Sequence, residues 1–232
     1  MSDIDLDDRK SWKLHFEATV DQFAQKEISL GPWTSYSLVN DPKHMAFVLS
    51  RYKFVSKMLN NKNKILEIGC GDGFGAPIIA QNAEYLLCID WEERNIEGNK
   101  RRLSHLKNTE FKHIDITKNI PQENFDAAFS IDVIEHLLPE DEKLFMNNTL
   151  EALNEDGICI IGTPNETSSR YASHRSDHQH INLKDGKTMF SLLDEYFQNS
   201  FVFSMNDEVV HTGYHPMAHY LFGMGVNKKT IT

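Results

Sequence analysis

Lys64-Ile-Leu-Glu-Ile-Gly-Cys-Gly-Asp-Gly-Phe-Gly75 is the stretch that decides the fold. Ile65, Leu66 and Ile68 make a short apolar run with one acid, Glu67, inside it, and the run stops at a glycine cluster. Ala76-Pro-Ile-Ile-Ala80 then begins a helical pattern. Strand, tight glycine turn and helix together build the nucleotide site of an open α/β sheet. Glycine lets the backbone turn sharply and lets a ligand lie against main-chain N–H groups at a helix N-terminus.

Working outward, the chain alternates. Strand-like runs are Lys64–Ile68, Tyr85–Ile89, Glu110–Ile114, Phe125–Ile131, Ile158–Gly162 and Phe201–Met205. Helix-like segments Ala76–Gln81, Glu93–His105, Glu142–Leu153 and Thr188–Tyr196 separate most of them. Such alternation predicts a parallel, doubly wound sheet. After Phe201–Met205 comes a polar bridge and a further apolar run, Met217–Met224, which predicts a closing antiparallel pair. Upstream, Trp12, Phe16, Val20 and Phe23, then Ala46, Leu49, Tyr52, Val55 and Leu59, follow a helical period, with Gly31-Pro32 between them. The expected organisation is a helical lid over residues 1–60 and an α/β domain over 61–232.

Composition narrows the class. The 232 residues are 40% hydrophobic and 25% charged, enough for one domain with a sizeable core. A net charge of −10 argues against nucleic-acid binding, which needs a basic surface. No apolar run reaches membrane-spanning length, and the acidic start, Met1 to Asp8, does not read as a signal peptide. Cys70, Cys88 and Cys159 fall in or beside apolar runs, as reduced core thiols of a cytoplasmic protein would. Cys70 has no basic neighbour in sequence that would make it a nucleophile.

The acids at strand ends select the cofactor. A dinucleotide fingerprint beginning at Gly69 finds Phe74 at its third glycine position, and the register beginning at Gly71 closes on Ala76, late for the strand end. No Gly-Lys-Ser/Thr follows, which excludes a P-loop. Asp90, in Cys88-Ile-Asp-Trp91, can accept both hydroxyls of a ribose, or instead cap the helix that follows. Asp115 and Ile116 end the third strand, where a carboxylate and a backbone N–H can meet an adenine edge. The strand Phe125–Ile131 runs into Ser130, Asp132, Glu135 and His136, a polar cluster at the sheet's carboxyl end.

In this order and spacing the four elements, with Leu153-Asn-Glu-Asp-Gly157 leading into Gly162-Thr-Pro-Asn165, resemble the class I S-adenosylmethionine-dependent methyltransferases. The resemblance covers roughly residues 64–165. It implies a Rossmann-like, seven-stranded, mostly parallel sheet with an antiparallel last strand, and S-adenosylmethionine as cofactor. It implies a cofactor site made of Glu67, Gly69, Cys70, Gly71, Asp90, Trp91, Asp115, Ile116, Ser130 and Ile131. Within it Gly69 and Gly71 would run under the methionine portion, Asp90 would hold the ribose, Trp91 would pack on adenine, and Ser130 or Ile131 would meet the amine. Arg51 is a partner for the methionine carboxylate or a solvated helix charge.

The acceptor side rests on histidines. Asn165–Lys184 holds His174, His178 and His180; His211–His219 holds three more, so six of eleven histidines fall in two loops. Three readings stand: a general base for a hydroxyl acceptor, a metal site, or solvated loop residues. The base is assigned to His180, His178, His211 or His136, and no metal is assigned. The Thr-Pro-Asn turn and the histidine loop resemble small-molecule O-methyltransferases, including quinone and sugar methyltransferases. The tail, Ser204–His219, is similar to bacterial methyltransferases of cell-surface glycan precursors, including capsule phosphoramidate. The expected partner is a small polar sugar- or nucleotide-linked metabolite. A quinone-type O-methyltransferase, an N-methyltransferase and an NAD(P)-dependent oxidoreductase are the alternatives.

Overall fold

A computed structural model describes residues 6–24, 27, 29–121, 124–171 and 178–229. Three helices come first: α1 (Leu6–Ala24), α2 (Pro32–Asn40) and α3 (Pro42–Met58). Then β1 (Lys64–Ile68), α4 (Ala76–Ala80), β2 (Tyr85–Asp90), α5 (Glu93–Arg102), β3 (Thr109–His113) and β4 (Phe125–Ile131) follow. The second half holds α6 (Glu142–Ala152), β5 (Leu153–Pro164), α7 (Gly186–Tyr196), β6 (Phe197–Asn206), β7 (Val209–His211) and β8 (Tyr220–Lys228).

The strands form one sheet in the order β3-β2-β1-β4-β5-β8-β6-β7. The first five pair in parallel, and β8 runs antiparallel between β5 and β6. The sequence reading of a parallel sheet closed by an antiparallel pair is therefore correct. The strand count needs correction from seven to eight. Val209–His211 lies in the polar bridge and pairs with Ser204–Asn206 at the sheet edge, a three-residue strand too short and too polar to leave an alternating pattern.

Alternation along β1 shows how the sheet is covered. Ile65 packs into a cluster with Tyr52, Val55, Ile79, Ile96 and Phe222, so α3, α4 and α5 cover that face. Leu66 and Ile68 point the other way, into Phe125, Phe145, Leu150, Leu193 and Phe197, where α6 and α7 lie. Both faces are sealed, as a parallel sheet requires. Among the N-terminal helices, α3 buries Arg51, Tyr52, Val55 and Ser56 against the body. By contrast α1 keeps Trp12, Phe16, Val20 and Phe23 exposed.

The late strands fit by omission of side chains. A Cβ at Gly225 would stand 2.2 Å from Cδ2 of Phe197, which is fully buried. Gly225→Ala should therefore cost about 1–3 kcal/mol through overpacking. Urea unfolding measures it: an unchanged midpoint would mean that β8 does not press on Phe197 as described.

Candidate cofactor site and acceptor cavity

The glycine loop is left-handed three times: φ is 76° at Gly69, 51° at Gly71 and 74° at Gly73. Residues with a Cβ resist these angles, so glycine is favoured at each. The Gly69 and Cys70 N–H groups both donate to the Ile89 carbonyl (2.8 and 3.0 Å), and Gly73 N–H donates to the Cys70 carbonyl (2.9 Å). The Asn99 amide secures the Gly71 carbonyl at 2.8 Å. A Cβ at Gly71 would meet no atom within 4 Å, so the loop is open above that residue.

Asp90 is buried at the end of β2. Its Oδ2 accepts from Gly71 N–H and its Oδ1 from Glu92 N–H, each at 2.8 Å. Asp90 thus ties the glycine loop to the chain entering α5, whose N-cap is Glu92. The two oxygens of an ionised carboxylate retain further lone pairs for a diol. Trp91 beside it is exposed and presents its ring. Asp72 joins the loop to α2, accepting from the Thr34 N–H and hydroxyl at 2.8 Å each.

Two residues assigned to the cofactor by sequence lie behind the loop. Glu67 is buried on the α3 side of the sheet, accepting from the Tyr52 hydroxyl (2.8 Å) and the Cys88 thiol (3.1 Å). Burial pushes its carboxyl up to about 7, against the pull of those two hydrogen bonds. Cys70 is buried, and its thiol is held above its ordinary value by burial and by Glu67, although its bond to Cys88 pulls the other way. Asp115 is also engaged locally: its carboxylate accepts from Thr117 N–H, Thr117 hydroxyl and Lys118 ammonium. Ile116 is buried, and its carbonyl accepts from Asn148 at 2.6 Å.

Past the loop, a cavity of about 490 Å³ opens at the carboxyl ends of β4 and β5. A Cβ on Gly69 would lie 2.4 Å from Val133, so the loop and the turn after β4 are in contact. That turn carries Asp132 at φ 57° and then a 3₁₀ turn, Ile134–His136. Asp132, Glu135 and His136 all line the cavity. Arg51 from α3 donates to Asp132 Oδ2 at 2.5 Å, and its guanidinium lies 3.9 Å over the Tyr220 ring from β8. Burial alone would lower Arg51; the Asp132 charge raises it.

Several polar atoms here are buried with no hydrogen-bond partner among the described residues: Arg51 Nε, Ser130 Oγ, Asp132 Oδ1, Glu135 Oε1 and Tyr220 Oη. Such orphans cost stability unless a ligand or water satisfies them. Glu135 is wholly buried and its carboxyl is pushed up to about 8, by desolvation first and then by Asp132, with Thr163 and Arg51 pulling the other way.

Of the four histidines expected to supply the base, the cavity gathers His136 and His180, whose rings meet edge-on at 5.1 Å. His180 is lowered by burial and by the neighbouring His136 charge. His178 does not line the cavity, and His211 sits on edge strand β7, taking Asn206 and Gly213 as partners. His174 lies outside the described residues. The cavity instead recruits His44 and His219, which the sequence reading did not select. His44 stands seven residues before Arg51, two helical turns, so one face of α3 carried the signal. His44 is lowered by burial and by Arg51. Glu135, His136 and His180 each offer a ligand atom, all within 4.8 Å of one another.

A glycine turn after β1, an acid ending β2 and a polar cavity beyond β4 define a nucleotide-cofactor-binding α/β domain. Residues 66–161 match the family model of a methyltransferase domain. The chain is 28% identical over 102 residues to a probable S-adenosylmethionine-dependent methyltransferase of Mycolicibacterium smegmatis, covering 44% of this chain and 38% of the relative. It is 29% identical over 131 residues to the ubiquinone biosynthesis O-methyltransferase of Rickettsia bellii, covering 53% and 49%. These matches thus span less than half of either relative.

In fold it is similar to the N-methyltransferase NodS of Bradyrhizobium japonicum in complex with S-adenosyl-L-homocysteine. That match has a TM-score of 0.63 at 18% identity, over 83% of this chain and 91% of that one. A TehB-like methyltransferase from Corynebacterium glutamicum gives 0.62 at 16%, over 91% and 100%. Residues 66–161 thus carry a methyltransferase domain, and the matching relative from Mycolicibacterium smegmatis is named as dependent on S-adenosylmethionine. The residues present fit that group: the open loop at Gly71, the Asp90 carboxylate and the partnerless Ser130 Oγ are all in place.

The Glu67 shift has a measurable consequence. A carboxyl raised in the folded state keeps its proton between pH 4.5 and about 7, where the unfolded chain has lost it. The native state then binds more protons, so stability falls as pH rises through that window, by about 3 kcal/mol. Glu67→Gln carries no such titration. Its denaturation midpoint should fall less than wild type between pH 5 and pH 8; parallel profiles would show that Glu67 does not titrate late.

Proposed function

We propose that the chain transfers the methyl group of S-adenosylmethionine to a hydroxyl of a small polar metabolite. The observation that carries this is the histidine-lined cavity of about 490 Å³ abutting the glycine loop through Gly69 and Val133. The cofactor, when bound, supplies a methyl group already activated on a sulfonium. The protein needs to orient, exclude water and take a proton. Gly69, Gly71, Asp90, Trp91 and Ser130 are the residues that would hold the cofactor, with Arg51 on its carboxylate side. Asp132 and Glu135 line the cavity beside them.

A cavity built from imidazoles, carboxylates and a guanidinium favours a sugar-, nucleotide- or phosphate-bearing acceptor over an apolar quinone. A cell-surface glycan precursor is one such acceptor, and the resemblance of the tail supports it. The O-methyltransferase relatives favour oxygen over nitrogen as the acceptor atom. A neutral imidazole can take the proton that a hydroxyl sheds. His44, His136, His180 and His219 are the four in reach. Helices α1–α3 would form the lid, anchored through Thr34 on Asp72 and Arg51 on Asp132.

Calorimetry with S-adenosyl-L-homocysteine tests the cofactor site. Wild type should bind, NAD and NADP should not, and Asp90→Asn should weaken binding about ten- to hundredfold. Heat evolved with NADP and none with S-adenosyl-L-homocysteine would turn the reading to an oxidoreductase. The acceptor side is tested by turnover on a panel of sugar nucleotides and phosphorylated sugars. Alanine at one of the four cavity histidines should cost about 10²- to 10⁴-fold in kcat. Four variants at wild-type rate would end the general-base assignment.

A further inference from the structure

The turn after β4 holds more ligand chemistry than a proton relay needs. Glu135, His136 and His180 place one donor atom each within 4.8 Å of one another. Glu135 is fully buried; its Oε2 accepts from the Thr163 hydroxyl at 3.0 Å, while its Oε1 has no partner among the described residues. A carboxylate oxygen buried without a donor is costly, and a cation satisfies it. Next to it Asp132 spends Oδ2 on Arg51 and leaves Oδ1 buried without a partner.

The imidazoles are held as ligands are held. His136 Nδ1 lies 3.0 Å from the Gln179 carbonyl. A carbonyl only accepts, so this contact puts the ring proton on Nδ1 and leaves the Nε2 lone pair free. A backbone carbonyl behind an imidazole is the usual support for a metal-bound histidine. The segment after His180 is tied back: Ile181 N–H and Asn182 N–H both donate to the Glu135 carbonyl, at 2.8 and 3.1 Å. The loop carrying one ligand is thus tied to the residue that supplies another. Arg51, the cation at this turn, is already paired with Asp132.

We infer that Glu135, His136 and His180 bind one divalent first-row transition-metal ion, with Asp132 at its edge and the remaining positions open to the cavity. Two imidazoles and a carboxylate suit Mn²⁺, Fe²⁺ or Zn²⁺ better than Mg²⁺ or Ca²⁺, which prefer all-oxygen sets. The inference rests on the methyl-transfer reading only for its purpose. There, an ion open to the cavity would polarise a bound hydroxyl or phosphate oxygen and ease loss of its proton. His136 and His180 then serve as ligands, and His44 or His219 is left to receive the proton.

Titration of chelator-treated full-length protein with Mn²⁺, followed by calorimetry and by the electron paramagnetic resonance signal, decides it. One ion per chain should bind, and His180→Asn and Glu135→Gln should each weaken it about tenfold or more. Circular dichroism melting and S-adenosyl-L-homocysteine titration of the same variants control for folding. His180→Asn should keep both the melt and that affinity. If neither Mn²⁺ nor Zn²⁺ binds the wild type at millimolar concentration, or if folded His180→Asn binds as wild type does, the metal site is wrong. Loss of S-adenosyl-L-homocysteine binding by the wild type would instead strike the methyl-transfer reading and leave the ion titration to stand by itself.

Discussion

The part-buried pair of Arg51 and Asp132 holds the working end of this molecule together. Three remote segments meet in it: α3 supplies the guanidinium, the turn after β4 the carboxylate, and β8 the Tyr220 ring beneath. Its geometry is set by an unusual backbone. Asp132 has φ 57°, a conformation costly for a residue with a side chain, so the surrounding contacts must impose it. The Asp132 N–H gives one such contact, donating to the Gly162 carbonyl at 3.0 Å. From that bend the chain enters the Ile134–His136 turn, and the positions of Glu135 and His136 follow. A buried ion pair is weak evidence of net stability, because desolvation offsets much of the attraction. Its contribution here is positional.

The shape of the glycine loop was legible in the sequence because its constraints are local. Three left-handed residues in one loop favour glycines, and an acid ending β2 stands one strand away in the pattern. The acceptor half was only partly legible. His136 and His180 stood out beside other polar residues, but His44 and His219 reach the cavity from α3 and from the start of β8, through tertiary packing. His211 and His178 sat in the right loops and were carried elsewhere by them. Glu67 shows the converse. It sits in the loop's own motif, yet strand alternation turns it towards Tyr52 and away from the open side of the loop. Asp115 illustrates a further limit: a strand-ending Asp competes between a ligand and its own following turn, and here Thr117 and Lys118 hold it.

The two halves also differ in how their polar groups are satisfied. Around the glycine loop the protein meets its own needs: Asp90, Asn99 and Asp72 each bond to backbone or side chain. Around the cavity it does not, with Arg51, Ser130, Asp132, Glu135 and Tyr220 all carrying buried, partnerless atoms. A sequence under selection for stability alone would remove such groups, since each costs on the order of 1–3 kcal/mol. Thr109 and Ser200 carry such atoms elsewhere, but five of the seven among the described residues gather around the carboxyl end of β4, where binding rather than folding accounts for them.

That contrast bears on how specificity arises. A loop satisfied internally keeps its shape with or without a ligand, so it holds a common cofactor portion in a fixed register. A cavity with unsatisfied donors and acceptors discriminates by leaving them unmet when the wrong molecule enters. Arg51 Nε, Asp132 Oδ1 and Glu135 Oε1 present one donor and two acceptors within a few residues of the loop. An acceptor or ion that answers them gains the desolvation already spent; an apolar ring of the same size gains nothing and leaves three polar atoms dry. On the proposed reading, the polarity of the cavity, more than its volume, therefore sets which hydroxyl is brought to the methyl group.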